Sequence, residues 1–326
     1  MKKIYMIILI VNTAFLFGCS KPSTLESINV IVPNGSTSVA QAFIEYTLKD
    51  SNEFTYNVFR VAGPEPLVAA FVNKEFDFII APIPLGAKLI NTGVDYSFLA
   101  TITEGNLFLA SGNSLDAIES LSGKNIIAFG QNNTPDIVLR SILSKIAFDT
   151  PPTMTYVSNT QATLAELTRD PNNIVLISEP FVSMAFNNLE TLYLIDLNPV
   201  WQEVLELPAF PQAGVFVRNG TSDALIAQFM TLLEESIAFA NNYPNELAEQ
   251  TETLEYPFPK SIIANSIPRS GLVFKDAVTS KVYIEAYLNA ILNYNPDLIG
   301  NRLPENSFYY GLDNEWKNNF MLYSWL

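Results

Sequence analysis

Histidine is absent from this 326-residue chain. Its absence removes the commonest general base and the commonest nitrogen ligand for transition metals. Ser-His-Asp hydrolysis and zinc-water chemistry are therefore excluded, while carboxylate or lysine catalysis stays open. Cysteine is nearly absent: Cys19 stands alone, so no disulfide can form within the chain. Positive charge is scarce, with 18 Lys and Arg against 33 Asp and Glu and a net charge of −15. Nucleic-acid binding needs clustered Lys and Arg to displace counterions from phosphates, and the basic residues here are scattered, so nucleic acid is not an expected partner. The N-terminal apolar run, residues 4–17, is broken by Asn12 and Thr13. It falls short of the roughly 20 apolar residues that cross a hydrocarbon core. Internal repeats, low-complexity tracts and heptads are also missing.

What is present begins with an export grammar: the basic Met1-Lys2-Lys3, the apolar run, then Leu16-Phe17-Gly18-Cys19 and the polar Ser20-Lys21-Pro22-Ser23. The segment around Cys19 resembles the lipobox of bacterial lipoproteins. The resemblance implies a signal peptide over 1–18 and acylation of Cys19, with palmitate as a typical chain. The mature protein would then be tethered outside the cytoplasm to a bacterial membrane. Phe17 departs from the small or β-branched residue usual at its position. Loss of Lys2 and Lys3 takes the mature side-chain charge to −17. About 308 residues would remain, above the roughly 250–300 at which single cores stop growing, so two lobes are expected.

Past a linker at 19–27, short β-branched or aromatic runs alternate with Gly/Pro breaks and stretches of helical spacing, which indicates an α/β architecture. Strands are expected at 28–32, 54–61, 76–81, 96–103, 125–129, 154–157, 174–178 and 213–217. Helices are expected at 38–48, 64–73, 85–91, 135–148, 161–168, 181–186, 222–241, 245–251 and 277–292. Residues 76–81 are nearly all apolar, as in a strand buried on both faces. Ser38 with Gln41 suggests a capping box. Thr134, Pro135 and Asp136 form the clearest helix start, with Thr134 as cap.

In open α/β sheets the crevice beyond the carboxyl ends of the strands is the usual ligand site. The loops to watch are 34–37, 82–86, 103–106, 130–134, 178–181 and 211–213. Candidate ligand contacts are Asn34, Ser36, Thr37, Ile83, Pro84, Leu85, Glu104, Asn106, Gln131, Asn132, Asn133, Thr134, Glu179 and Gln212. Each has a plainer reading. Asn34, Ser36 and Thr37 suit a turn; Thr134 suits a cap; Glu179 favours the positive end of a helix starting at Pro180; Glu104 suits solvent. Ile83, Pro84 and Leu85 suit either loop packing or the apolar rim of a pocket.

Residues 67–90, LVAAFVNKEFDFIIAPIPLGAKLI, resemble the helix-strand-loop signature of importer-associated binding proteins for nitrate, sulfonates and thiamine precursors. Three further segments are similar in order and spacing: 105–109, 123–136 and 177–181. The likeness covers 28–290. It implies a two-lobed type II periplasmic-binding-protein fold, each lobe a mostly parallel sheet flanked by helices. Residues 28–108 and 214–326 would make lobe I and 109–213 lobe II, with crossings at 106–111 and 213–217 as the hinge. A small-molecule solute would lie between lobes that close by rigid-body rotation. The implied partners are an ABC permease and ATPase, and a monomer is expected, with no cofactor and no bound metal.

None of the six loops holds Lys or Arg and two hold glutamate. This favours a neutral or cationic heterocycle, such as a thiamine or other vitamin precursor, over nitrate or sulfonate. A module serving a membrane sensor is an alternative. Enzymes of the same fold, the fungal pyrimidine synthases and the chorismate-dehydrating enzymes of menaquinone biosynthesis, are another. The missing histidine speaks against the first enzyme type and the export signal against both, so a non-enzyme is expected. Replacing the acylated residue tests the anchor: Cys19→Ala should leave an unlipidated precursor and move the protein out of the detergent phase. Unchanged mass and partitioning would contradict the lipoprotein reading.

Overall fold

The computed structural model describes residues 26–52 and 54–312. The export signal, Cys19 and the linker up to residue 25 lie outside the described residues. The chain runs through β1 (Glu26–Pro33), α1 (Ser36–Val39), α2 (Ala42–Leu48), β2 (Phe54–Val61), α3 (Glu65–Asn73), β3 (Phe78–Pro82), α4 (Ile83–Asn91) and β4 (Tyr96–Glu104). It continues in β5 (Phe108–Ser111), β6 (Asn125–Phe129), α5 (Thr134–Leu143), β7 (Thr153–Val157), α6 (Thr160–Arg169), β8 (Ile174–Ile177), α7 (Phe181–Asn188), β9 (Tyr193–Asp196) and α8 (Leu197–Leu205). Then follow β10 (Pro211–Arg218), α9 (Asp223–Asn242), α10 (Pro244–Thr253), α11 (Lys260–Ser266), β11 (Leu272–Asp276) and α12 (Ala277–Tyr294).

The strands form a six-stranded sheet, β11-β4-β10-β3-β1-β2, and a five-stranded sheet, β7-β6-β8-β5-β9. Both are mixed rather than mostly parallel. β1 pairs in parallel with β2 and β3, and β6 with β7 and β8, whereas β10 is antiparallel to β3 and β4, and β5 to β8 and β9. The reason is connectivity. The chain leaves the first sheet at the end of β4 and re-enters beside that end, Pro211 opposite Glu104, so β10 must run backwards. Phe108 already pairs in the second sheet and Pro211 in the first. The chain therefore passes between sheets at 105–107 and 206–210.

β3 shows why the apolar run reads as it does. Phe78, Ile79, Ile80 and Ala81 are fully buried, with Phe78 and Ile80 in one core and Ile79 and Ala81 in another, because successive side chains of a strand face opposite ways. Two helix starts differ from the sequence pattern. The 38–48 helix is two helices: Ser38 Oγ donates to the Gly35 carbonyl at 2.8 Å, and Gln41 is buried, accepting from the Tyr56 hydroxyl at 2.7 Å, so no capping box forms. α5 starts at Thr134, one residue earlier than expected, and ends at Leu143. Its first turn is held by Asp136, whose carboxylate accepts the Asn132 N–H at 2.8 Å and the Arg140 Nε–H at 2.7 Å. The residue at the cap position is Asn133, not Thr134, and no side chain among the described residues bonds the first-turn N–H groups; Asp136 instead ties the preceding turn to the helix, its charge at the positive end.

The largest core cluster does not stop at the boundary between sheets. It joins Phe71, Phe98 and Ile291 on the first-sheet side to Ile126, Leu139 and Leu176 on the second. Leu107, Trp201, Phe210 and Tyr287 lie along the join. Trp201 is fully buried, edge-on to Phe210 at 5.6 Å and Tyr287 at 5.7 Å, and its indole N–H donates to the Pro208 carbonyl at 3.0 Å. Trp201→Ala should lower stability by roughly 3–5 kcal/mol, read as a drop in urea midpoint. A loss under 1 kcal/mol would mean that this join carries little of the fold.

Candidate functional site at the junction of the two sheets

Four turns meet where strands of the two sheets end. Ser36 opens α1 behind Gly35. Its hydroxyl donates to Ser270 Oγ at 2.9 Å, accepts from the Asn106 side-chain amide at 3.2 Å, and lies 3.4 Å from the Glu179 carbonyl. Asn106 returns its side-chain oxygen to the Glu179 N–H at 2.8 Å. Ser270 donates to the Ser266 carbonyl. All four residues are buried.

The Glu179 side chain has no exposed surface. Its Oε2 accepts the Ser183 N–H at 2.9 Å; its Oε1 accepts the Ser183 hydroxyl at 3.1 Å and the Arg269 Nε–H at 2.6 Å. Arg269 also donates through Nη2 to Ser183 Oγ at 2.9 Å and to the Asn265 carbonyl at 3.0 Å, and it lies 5.2 Å from the centre of the Phe186 ring. Nearby, Phe181 meets Phe258 edge-on at 5.7 Å. Glu179, Ser183 and Phe186 come from β8–α7, whereas Arg269 follows α11, so this pair ties one sheet to the other. Burial pushes the Glu179 carboxyl above its ordinary value, against the Arg269 charge and the Ser183 bonds, which pull it down.

Glu104 is the second buried carboxylate, its Oε1 accepting from Lys275 Nζ at 2.6 Å. Lys275 sits on β11, and Gly271 makes that approach possible. At φ +61 its carbonyl accepts the Glu104 N–H at 2.9 Å, and a Cβ there would fall 1.8 Å from the Glu104 carbonyl oxygen. Only glycine fits.

The junction thus gathers Ser36, Glu104, Asn106 and Glu179 of the residues singled out from sequence. Gln131, Asn132 and Asn133 are exposed, and Thr134 is buried in the first turn of α5. Asn34 is exposed; Thr37 donates to the Pro33 carbonyl at 2.9 Å, the bond of a turn. Ile83 and Pro84 are buried in α4 and Leu85 packs against the core, so residues 83–85 are helix rather than loop. Gln212 lies at a bulge of β10, inside the sheet.

The absence of cations from the six loops does not carry over to the site, because Arg269 and Lys275 arrive from the C-terminal return. Ser183, Arg269, Ser270 and Lys275 were not foreseen. The available signal was Arg269-Ser270-Gly271, a cation beside a glycine break. Two open grooves of about 440 and 550 Å³ lie elsewhere, sharing Ser144 and Tyr294, and neither is lined by this cluster.

A pH comparison tests the burial of Glu179. Its carboxyl takes up a proton more readily when folded than when unfolded, so its contribution to stability falls as pH rises above the ordinary value of 4.5. The melting temperature of wild type should therefore decline relative to Glu179→Gln as pH is raised from 4.5. A constant difference between the two proteins would mean that the carboxyl is not perturbed.

No curated protein matches this sequence. Solved structures do. An ABC transporter protein of Parabacteroides distasonis superposes with a TM-score of 0.74 at 23% identity, over 86% of this chain and 98% of that one. The ligand binding component of an ABC-type import system from Staphylococcus aureus, solved with zinc, gives 0.66 at 15% identity over 89% and 98%. The periplasmic aliphatic sulphonate binding protein SsuA of Escherichia coli gives 0.64 at 15% over 86% and 92%. These likenesses establish a periplasmic-binding-protein fold with two mixed sheets flanked by helices. The family model described as menaquinone biosynthesis matches residues 39–292, most of the chain, and the protein belongs to that family.

Proposed function

We propose that this protein captures a small organic solute between two lobes and delivers it to an ABC permease and ATPase. Lobe I is built on the six-stranded sheet, residues 26–104 and 211–312, and lobe II on the five-stranded sheet, 108–205, with hinges at 105–107 and 206–210. An acylated Cys19 would hold it outside the cytoplasm. The carrying observation is the Glu179–Arg269 pair, in which a buried carboxylate from one sheet meets a guanidinium from the other. A site whose groups come from both lobes is what couples binding to closure.

The solute is a neutral or cationic heterocycle of the thiamine-precursor kind, ahead of nitrate or sulfonate. Arg269 and Lys275 each already sit on a glutamate, so the four charges sum to zero. A free anion would have to outcompete a carboxylate held at 2.6 Å. Ser36, Asn106 and Ser270 supply neutral donors and acceptors beside it.

The family's description favours one second reading, an enzyme of menaquinone biosynthesis acting on a substrate in the same cleft. Calorimetry against aminopyrimidines, thiamine, alkanesulfonates and nitrate, with mass analysis of each compound afterwards, separates the two. Capture predicts recovery of the compound unchanged and, at 100 times its dissociation constant, about 2.7 kcal/mol of added stability. Glu179→Ala should weaken binding by about ten- to a hundredfold, the loss of a charge-assisted bond. Conversion of the compound would establish the enzyme, and affinity indifferent to Glu179→Ala would place the site elsewhere.

A further inference from the structure

The contacts around Arg269 make a complete receptor for a planar cation. One edge of the guanidinium presents Nε–H to Glu179 Oε1 and Nη2–H to Ser183 Oγ, at 2.6 and 2.9 Å. The Ser183 hydroxyl proton is turned to Glu179 Oε1, which leaves its lone pair for the cation. The Ser183 N–H fixes the other carboxylate oxygen, and the Phe186 ring lies against the guanidinium. Glu179, Ser183 and Phe186 belong to lobe II; their occupant is a side chain of lobe I. Two parallel donors on two acceptors over an aromatic face is a geometry that guanidinium and amidinium edges satisfy and a point charge does not.

We infer that Glu179, Ser183 and Phe186 form the cation subsite of the cleft, that Arg269 is its intramolecular occupant, and that the captured solute displaces Arg269 with an amidine- or guanidine-like edge. This rests on the cleft being the solute site. Burial decides which partner moves. Glu179 is fully buried and would be left uncompensated if it lost its cation, so every closed state needs a cation or strong donor there. Arg269 keeps a third of its side chain in solvent and can swing outward. The carboxylate stays and the arginine yields.

Emptying the receptor tests the inference. In Arg269→Ala, methylguanidinium at millimolar concentration should raise the melting temperature and return the radius of gyration in small-angle scattering to the wild-type value. Sodium chloride at equal strength should do neither, and Glu179→Gln in the same background should abolish the rescue. Agmatine and an aminopyrimidine should bind Arg269→Ala about ten- to a hundredfold tighter than wild type, because an internal occupant lowers apparent affinity by the fraction of molecules it fills. Arg269→Lys keeps a charge on Glu179 and protects the fold; it should show the same gain, smaller in size. Absence of methylguanidinium rescue overturns the inference. So does a compound that binds wild type and loses affinity in Arg269→Ala, which would make Arg269 a solute contact and leave the cleft reading standing. Full rescue together with bound compounds that never alter the scattering would keep the receptor and overturn the cleft reading.

Discussion

A carboxylate with no exposed surface sits at the junction of the two sheets, and much of the surrounding geometry follows from the need to compensate it. Glu179 cannot remain charged in a closed junction without donors on both oxygens. Ser183 supplies two of them from within α7 at no loop-ordering expense, since the i to i+4 spacing of a helix start brings them there. The third has to come from another part of the chain, and only an element packed across the junction can deliver it. The 3₁₀ turn Ile267–Arg269 after α11 is that element, and the contact between α7 and α11, with Phe181 on Phe258, holds it in place.

The same junction has an apolar side. The core that runs through Leu107, Trp201, Phe210 and Tyr287 joins the sheets where the chain crosses between them, while the Glu179–Arg269 contact joins them where their loops face each other. The two joins differ in kind. Dry packing among buried aromatic side chains is lost steeply on separation. An ion pair one-third open to water can exchange one partner for another of like chemistry. The solute capture proposed above would call for one persistent join and one exchangeable join, and the apolar and charged residues are distributed in that order.

The acidic balance of the chain takes on a local meaning here. Most of the acidic excess lies in solvent, whereas Glu104 and Glu179 are buried and each recruits a cation from the short stretch 269–275. Gly271 lies between those two cations and lets the backbone touch that of Glu104. A glycine with a left-handed backbone and no room for a Cβ thereby positions both ion pairs of the site.

The alternation of strand and helix, the doubly buried strand β3 and the helices α9, α10 and α12 are legible in the sequence because each depends on side-chain periodicity within one segment, whereas α11 (Lys260–Ser266) is not among the expected helices. The loops bearing Ser36, Asn106 and Glu179 were legible too, since the ends of strands can be read from the same pattern. β11 was not: Leu272, Val273, Phe274, Lys275 and Asp276 mix apolar and charged residues without alternation, and their partner β4 lies about 170 residues away. The strand-end loops lack cations, while Arg269 and Lys275 reach the site from a distant segment. Periodicity is a local property, and the sequence by itself determined the local elements and which turns lie at strand ends. Which turns meet, and therefore whether a buried carboxylate finds a partner, depends on pairing between distant segments, and that was decided only when the two sheets packed together.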